Sequence, residues 1–210
     1  IRWVLFASLA EGNSKAKNLL MSEDVLAAIK AINKLGIKSK IINNVCTIYG
    51  KGINGYNYKK NLIINSRNSG TLGRLILGFL INTNKKIKII GDKSLSKRDF
   101  KRISDPLSKF GARFNLKNNK NLPLTIFGSK NLNPIKYIEK RGSAQCKSSV
   151  MFAAMRTNGT TFIKAKKSRN HTELLCNYLN LPISVKRGKK YDEIVVNKVK
   201  TIKPINYNIP

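Results

Sequence analysis

The sequence predicts an α/β (α+β) fold, a single domain built from three similar α/β subdomains. Three observations predict it. An apolar, helix-like run recurs, so that Arg2-Trp3-Val4-Leu5-Phe6 aligns with Arg74-Leu75-Ile76-Leu77-Gly78 and Ser149-Val150-Met151-Phe152-Ala153 at spacings of 72 and 75 residues. Each run is followed by a break at Gly12, Asn84 or Gly159, then a β-rich piece, then a serine able to cap a second helix: Ser22, Ser96 or Ser168. The second helices run out at Leu35-Gly36-Ile37, Phe110-Gly111-Ala112 and Leu181-Pro182-Ile183, with glycine as the C-cap in the first two. A period of about 70 residues exceeds the roughly 20 to 50 of solenoid repeats. It fits three subdomains, expected at about 1–65, 66–140 and 141–203, with the first one truncated at its front and 204–210 serving as a linker toward a missing second domain.

The elements follow in order. Trp3 to Ala10 reads as the first repeat's helix rather than a signal-peptide core, because its counterpart Leu75 to Ile81 lies mid-chain. Ser22-Glu23-Asp24 opens an amphipathic helix whose Val25, Leu26, Ile29, Ile32 and Leu35 recur at three- and four-residue steps, and Ser22 and Asp24 read as capping residues. Ile37 to Ile42, Val45 to Tyr49 and Asn61 to Ile64 read as short strands around a glycine-rich turn at 50–55. The helix from Gly70 to Ile81 is apolar nearly all round and is expected in the middle of the fold.

Lys86 to Ile90 alternates Lys with Ile and reads as a strand. A helix is expected from about Lys97 to Lys109, kinked at Pro106 or beginning properly there. Ala112 to Ile126 reads as a surface hairpin and Ile135 to Glu139 as a strand. Thr172 to Asn180 reads as a helix, followed by strands near Ile183 to Lys186 and Glu193 to Val196 and a proline-containing tail from Lys203 to Pro210.

The 210 residues carry a formal net charge of +31, which would ordinarily suggest nucleic acid. However, Lys outnumbers Arg 31 to 10 along the whole chain, and aromatic residues do not interleave with the charges as a stacking platform requires. The charge therefore reads as compositional bias able to steer small anions. Cys46, Cys146 and Cys176 are widely spaced, odd in number and without a His cluster, so neither a disulfide framework nor a zinc site is indicated, and a reducing cytoplasm is expected. No run approaches the roughly 20 apolar residues that cross a bilayer.

Two helix entrances carry the chemistry. Asn68-Ser69-Gly70-Thr71 runs into Arg74, and Ser143-Ala144-Gln145 runs into Lys147-Ser148. Unpaired backbone N–H groups and the helix dipole make such starts ready sites for phosphate or carboxylate.

Five segments, in order, resemble the 5-enolpyruvylshikimate-3-phosphate synthase family: Ala10-Glu11-Gly12 through Leu19-Leu20-Met21-Ser22-Glu23-Asp24-Val25; Asn68-Ser69-Gly70-Thr71 with Arg74; Gly91-Asp92-Lys93-Ser94-Leu95 with Arg98; Ser143-Ala144-Gln145 with Lys147-Ser148; and Ser168-Arg169-Asn170-His171-Thr172-Glu173. The resemblance implies an inside-out α/β barrel-like domain of three repeated βαβαββ units, most of one of two such domains. It implies transfer of the carboxyvinyl group of phosphoenolpyruvate to the 5-hydroxyl of shikimate 3-phosphate, releasing phosphate, in the shikimate pathway of aromatic amino acid and chorismate biosynthesis. No metal or organic cofactor is implied. The partners implied are the two small substrates and the second domain of the same protein, in a cytoplasmic monomer without nucleic acid or membrane.

Such a site holds the phosphate and carboxylate of each substrate, so it needs guanidinium forks and neutral donors more than nucleophiles. By resemblance, Asn68, Gly70, Arg98 and Gln145 would bind phosphoenolpyruvate. Arg2, Ser143, Ala144, Gln145, Ser168 and Arg169 would bind shikimate 3-phosphate. The lysine and serine that the family carries before Arg2 are absent, and the family's acid and base positions fall outside these residues, so no catalytic residue is assigned and the chain alone is expected to be inactive. Arg74 and His171 read as structural, and Lys147 and Lys93 as ordinary solvated lysines. The alternatives are a related transferase with a nucleotide-sugar acceptor, against which the Ser168-to-Thr172 and Ser22-to-Asp24 segments argue, and a basic RNA-binding protein on the same repeated unit.

Overall fold

The structure is a computed structural model that describes residues 1–209; Pro210, the end of the expected linker, lies outside the described residues. In chain order the elements are α1 (Arg2–Leu9), β1 (Glu11–Lys17), α2 (Glu23–Lys34), β2 (Lys38–Ile42), β3 (Val45–Lys51), β4 (Leu62–Asn65), α3 (Gly70–Phe79), β5 (Ile87–Ile90), α4 (Lys93–Ser96), α5 (Lys101–Ser108), β6 (Arg113–Lys117), β7 (Asn121–Phe127), β8 (Lys136–Glu139), α6 (Ala144–Ala154), β9 (Thr161–Lys166), α7 (His171–Tyr178), β10 (Ile183–Lys186), β11 (Tyr191–Val196) and β12 (Asn206–Asn208).

The strands form three four-stranded sheets with one shared pattern: β12-β1-β3-β2, β4-β5-β7-β6 and β8-β9-β11-β10. In each, the first pair is parallel and the other pairs are antiparallel. The three sheets and seven helices make the mixed α/β fold that the sequence predicts.

The helices α1, α3 and α6 form the centre. Trp3 to Leu9, Leu72 to Phe79 and Cys146 to Ala154 are buried without a solvent face, as the nearly all-round apolar sequences of α1 and α3 require, while α6 carries Lys147, Ser148 and Ser149 into the interior. Their meeting point is aromatic. Phe79 stacks on Phe152 with ring centroids 4.2 Å apart, and Phe6 meets both edge-on at 5.8 and 5.2 Å. These rings step by 73 residues each (6 to 79 and 79 to 152), one more than the first spacing of the sequence alignment, 72, and two fewer than the second, 75. A side chain at Gly78 would collide with the Ser149 carbonyl, so the glycine lets α3 and α6 pack closely.

The outer helices begin and end by local chemistry. Ser22 accepts a hydrogen bond from the Val25 N–H, with Glu23 and Asp24 in the first turn of α2 and Lys34 in its last, which complements the helix dipole. Ser96 and Ser168 are not the caps expected. Ser96 ends α4, which Asp92 caps, and α7 starts after Asn170 with no side-chain cap. Past the ends of the outer helices stand Gly36 (φ +88°), Gly111 (φ +113°) and, in the third unit, Asn180 (φ +51°), a polar substitute for glycine in the left-handed region. Pro106 lies inside α5 without ending it.

β4 pairs with β5 and β8 with β9, so Leu62–Asn65 and Lys136–Glu139 join the sheets of the strands that follow them. Residues 206–208, within the segment expected as a linker, pair in parallel with β1, in register Lys15 with Asn206 through Lys17 with Asn208. In the other sheets that position is held by the unit's own leading strand, so β12 satisfies the open ladder edge of β1. Val199, Ile202 and Ile205 anchor the approach to it in the core. Among the described residues no helix is long and apolar enough to cross a membrane.

Candidate anion-binding site

The helices α3 and α6 run in the same direction, since their starts meet at Thr71 and Gln145 and their ends at Phe79 and Phe152. Their N-termini therefore open on one side of the core. Ser69 accepts from the Leu72 N–H at 3.2 Å and Ser143 from the Cys146 N–H at 3.3 Å, which leaves other first-turn N–H groups for a ligand. The entry to α6 is held from below. The buried Glu139 carboxylate accepts from the Arg141 N–H at 3.1 Å and from the Ser143 N–H at 2.9 Å, and Gly142 turns the chain at φ +72°.

On the α3 side, Asn68 Nδ2 donates to Asp92 Oδ2 at 2.6 Å. Asp92 also caps α4, and the chain then delivers Arg98 back over Gly70. A Cβ on Gly70 would lie 3.1 Å from Arg98 Nη1 and 3.4 Å from Arg74 Nη1, so the bare backbone is what lets both guanidiniums close on the helix start. Arg74 donates to Gln145 Oε1, lies 5.3 Å from the Phe100 ring centre, and has only 4% of its surface exposed. Gln145 Nε2 donates in turn to Thr71 at 3.1 Å. Burial, with Arg102 and Arg98 adding, pulls the Arg74 guanidinium down to about 10. Its buried Nε has no partner among the described residues. Arg74, Arg98 and Arg102 thus concentrate positive charge beside the entrance to α3.

On the other side of α6, Arg2 Nε donates to Thr172 Oγ1 at 2.7 Å, and Thr172 shares a 2.7 Å hydrogen bond with Ser148. Burial lowers the Arg2 guanidinium from its ordinary value; Glu173 opposes that and Arg169 reinforces it. Ser168 keeps a buried, unpartnered hydroxyl just before α7, and Arg169 is exposed beside it.

The two clusters share one helix. Gln145 and Ser148 are three residues apart on α6 and so lie on one face, the first bonded to α3 and the second, through Thr172, to Arg2. Asn68, Gly70, Arg98 and Gln145 are thus drawn together on one flank, Arg2, Ser168 and Arg169 on the other, with Ser143 and Ala144 at the helix start. Arg74 is structural in the sense expected, buried and bonded within the fold, while His171 is exposed at the start of α7. Lys147 contradicts expectation. It is no solvated lysine but a fully buried one, with its Nζ 2.6 Å from Glu173 Oε1. Thr71, Ser148 and Thr172 have no part in the sequence-based site, because each acts through a partner far along the chain, and Glu139 has none because its partners are backbone N–H groups, which no side-chain pattern marks.

A family model described as EPSP synthase (3-phosphoshikimate 1-carboxyvinyltransferase) matches residues 1–210. The chain belongs to the EPSP synthase family. A 3-phosphoshikimate 1-carboxyvinyltransferase of Streptococcus agalactiae is 42% identical over 174 residues, which is 82% of this chain and 40% of that protein. The enzyme of the same name from a Sulfurihydrogenibium species is 36% identical over 211 residues, covering all of this chain and 48% of its own length. Among solved structures, an EPSP synthase from Acinetobacter baumannii superposes with a TM-score of 0.90 at 29% identity, over the whole chain and 46% of that structure. The enolpyruvyl transferase NikO from Streptomyces tendae, at 11% identity and a TM-score of 0.67, shares the fold. The chain thus spans somewhat under half the length of the EPSP synthase family relatives it matches.

Proposed function

We propose that this protein is a 3-phosphoshikimate 1-carboxyvinyltransferase, and that the described residues form the pole that holds both substrates. The observation that carries the reading is the position of Gln145, bonded to Arg74 and Thr71 at the mouth of two parallel helices, one turn before Ser148 and its link to Arg2. A residue so placed can touch two ligands at once. Arg98, Asn68 and Gly70 with Gln145 take phosphoenolpyruvate; Arg2, Ser143, Ala144, Ser168 and Arg169 with Gln145 take shikimate 3-phosphate.

In this reading the 5-hydroxyl loses its proton and adds to C2 of phosphoenolpyruvate as C3 gains a proton and the C2=C3 π bond breaks. The C2–O bond to phosphate then breaks as C3 loses a proton, which restores the double bond. The arginines and helix N-termini fix both reactants and offset the charge on the departing phosphate. The acid and base are supplied from outside these residues, by a lysine of the motif that Arg2 closes and by acidic residues of a second domain, so the 210-residue chain alone binds substrate weakly at most and does not turn it over. A monomer in the cytoplasm, with no nucleic-acid or membrane partner, completes the proposal. The three unpaired, buried cysteines agree with that compartment.

The test is phosphate release by the full-length protein from phosphoenolpyruvate and shikimate 3-phosphate, with Arg98→Lys alongside. Turnover is expected, and the variant should raise KM for phosphoenolpyruvate by about tenfold through loss of the planar fork. Absence of turnover with that pair would sink the assignment.

A further inference from the structure

We propose that Thr172 is a positioning residue that sets the affinity for shikimate 3-phosphate by aiming Arg2. The inference rests on the function proposed above. Among the described residues Arg2 makes no hydrogen bond to a carboxylate; its side-chain partner is the Thr172 hydroxyl, at 2.7 Å from Nε. Because Nε only donates, Thr172 Oγ1 is the acceptor, and the same oxygen shares a second hydrogen bond with Ser148 at 2.7 Å. Thr172 and Ser148 are both buried, so water does not compete for the bond between them.

The neighbouring pair makes this alignment rigid. Lys147 and Ser148 of α6 face Glu173 and Thr172 of α7, one ion pair beside one hydroxyl pair, and so clamp the start of α7 against α6. Arg2 is thereby pinned at Nε, which leaves its terminal nitrogens to form a fork toward a phosphate, beside Ser168 and Arg169 just upstream of α7. Thr172 is fully buried, so a residue of equal shape without a hydroxyl keeps the space filled and removes the aiming bond.

Kinetics of the full-length protein with Thr172→Val, Thr172→Ser and Arg2→Ala test the proposal, with both substrates varied in turn and Tm recorded. Thr172→Val should raise KM for shikimate 3-phosphate about tenfold, the cost of one charge-assisted hydrogen bond, with kcat and KM for phosphoenolpyruvate within about twofold. Thr172→Ser should restore the KM. If Arg2→Ala raises that KM and Thr172→Val does not, the positioning role is wrong while the function stands. If Thr172→Val raises both KM values alike as Tm falls, the residue is merely structural and the proposal is overturned. If neither Arg2→Ala nor Thr172→Val changes it, both the role and the anion-site assignment fail.

Discussion

Lys147 Nζ stands 2.6 Å from Glu173 Oε1, and neither side chain reaches solvent. Removing one partner leaves an uncompensated buried charge, which costs more than the pair itself contributes. Lys147→Met should lower the unfolding free energy of the protein by about 3 to 5 kcal/mol. Arg187, 3.9 Å from the same oxygen, holds the loss toward the lower end. Lys147→Met with Glu173→Leu should recover most of it. Urea denaturation of the three proteins decides; equal destabilisation in the single and double variants would contradict the pairing.

Gly70→Ala places a methyl 3.1 Å from Arg98 Nη1, tighter than ordinary contact but against the free end of a flexible side chain. The helix should tolerate it, with stability within about 1 kcal/mol of the parent. Arg98 must shift, so KM for phosphoenolpyruvate should rise severalfold while KM for shikimate 3-phosphate holds. An unchanged KM for phosphoenolpyruvate would show that Arg98 does not meet that substrate from this position.

Asp92 couples the site to acid. The Leu95 N–H first, then the Asn68 amide, hold its carboxyl below the ordinary value. A depressed folded value means that the carboxylate's contribution is complete above the unfolded pKa, about 3.9, and fades as pH falls through the folded one. Carboxyl NMR titration should therefore place the Asp92 midpoint below that value and move it up in Asn68→Ala. A midpoint at the ordinary value in both proteins would break the Asn68 link.

The end of the chain gives a prediction about exchange. The Glu11 N–H bonds to the Ile202 carbonyl at 2.8 Å and the Lys15 N–H to that of Ile205 at 3.1 Å, while the Ile205 N–H bonds to Ser14 Oγ at 2.9 Å. These amides should be protected in hydrogen exchange together with those of β3. Exchange of the Lys15 and Ile205 amides at the rate of an unstructured chain would restore the linker reading.

Much of the architecture was legible because its signals are local. The Ile-Lys alternation of β5 puts Ile87 and Ile89 inward and Lys88 outward, and α2 carries both its cap and its apolar stripe in sequence. β1 carried no such signal. Its Glu-Gly-Asn-Ser-Lys-Ala-Lys sequence is poor in β formers, yet it lies between β3 and β12 with Ser14 and Ala16 inward. The phase of the inner helices was misread because a helix buried all round has no solvent face to fix it. The Phe6, Phe79 and Phe152 cluster fixes it instead.

The site divides the same way. Its ligand-facing residues sit in short runs that can be matched to a family, but the residues that hold them cannot. Nothing near Lys147 announces Glu173, and nothing near Arg2 announces Thr172, 170 residues away. Glu139 looks like one more strand residue until its carboxylate is seen on two backbone N–H groups.

The central claim is that this pole binds a phosphorylated cyclohexene acid. Calorimetric titration of the full-length protein with shikimate 3-phosphate, beside unphosphorylated shikimate and a short single-stranded RNA at physiological salt, tests it most directly. Saturable binding of the phosphorylated ligand alone, lost in Ser168→Ala, is the predicted result. Tight RNA binding with no response to shikimate 3-phosphate would contradict it and make the +31 charge the functional feature instead.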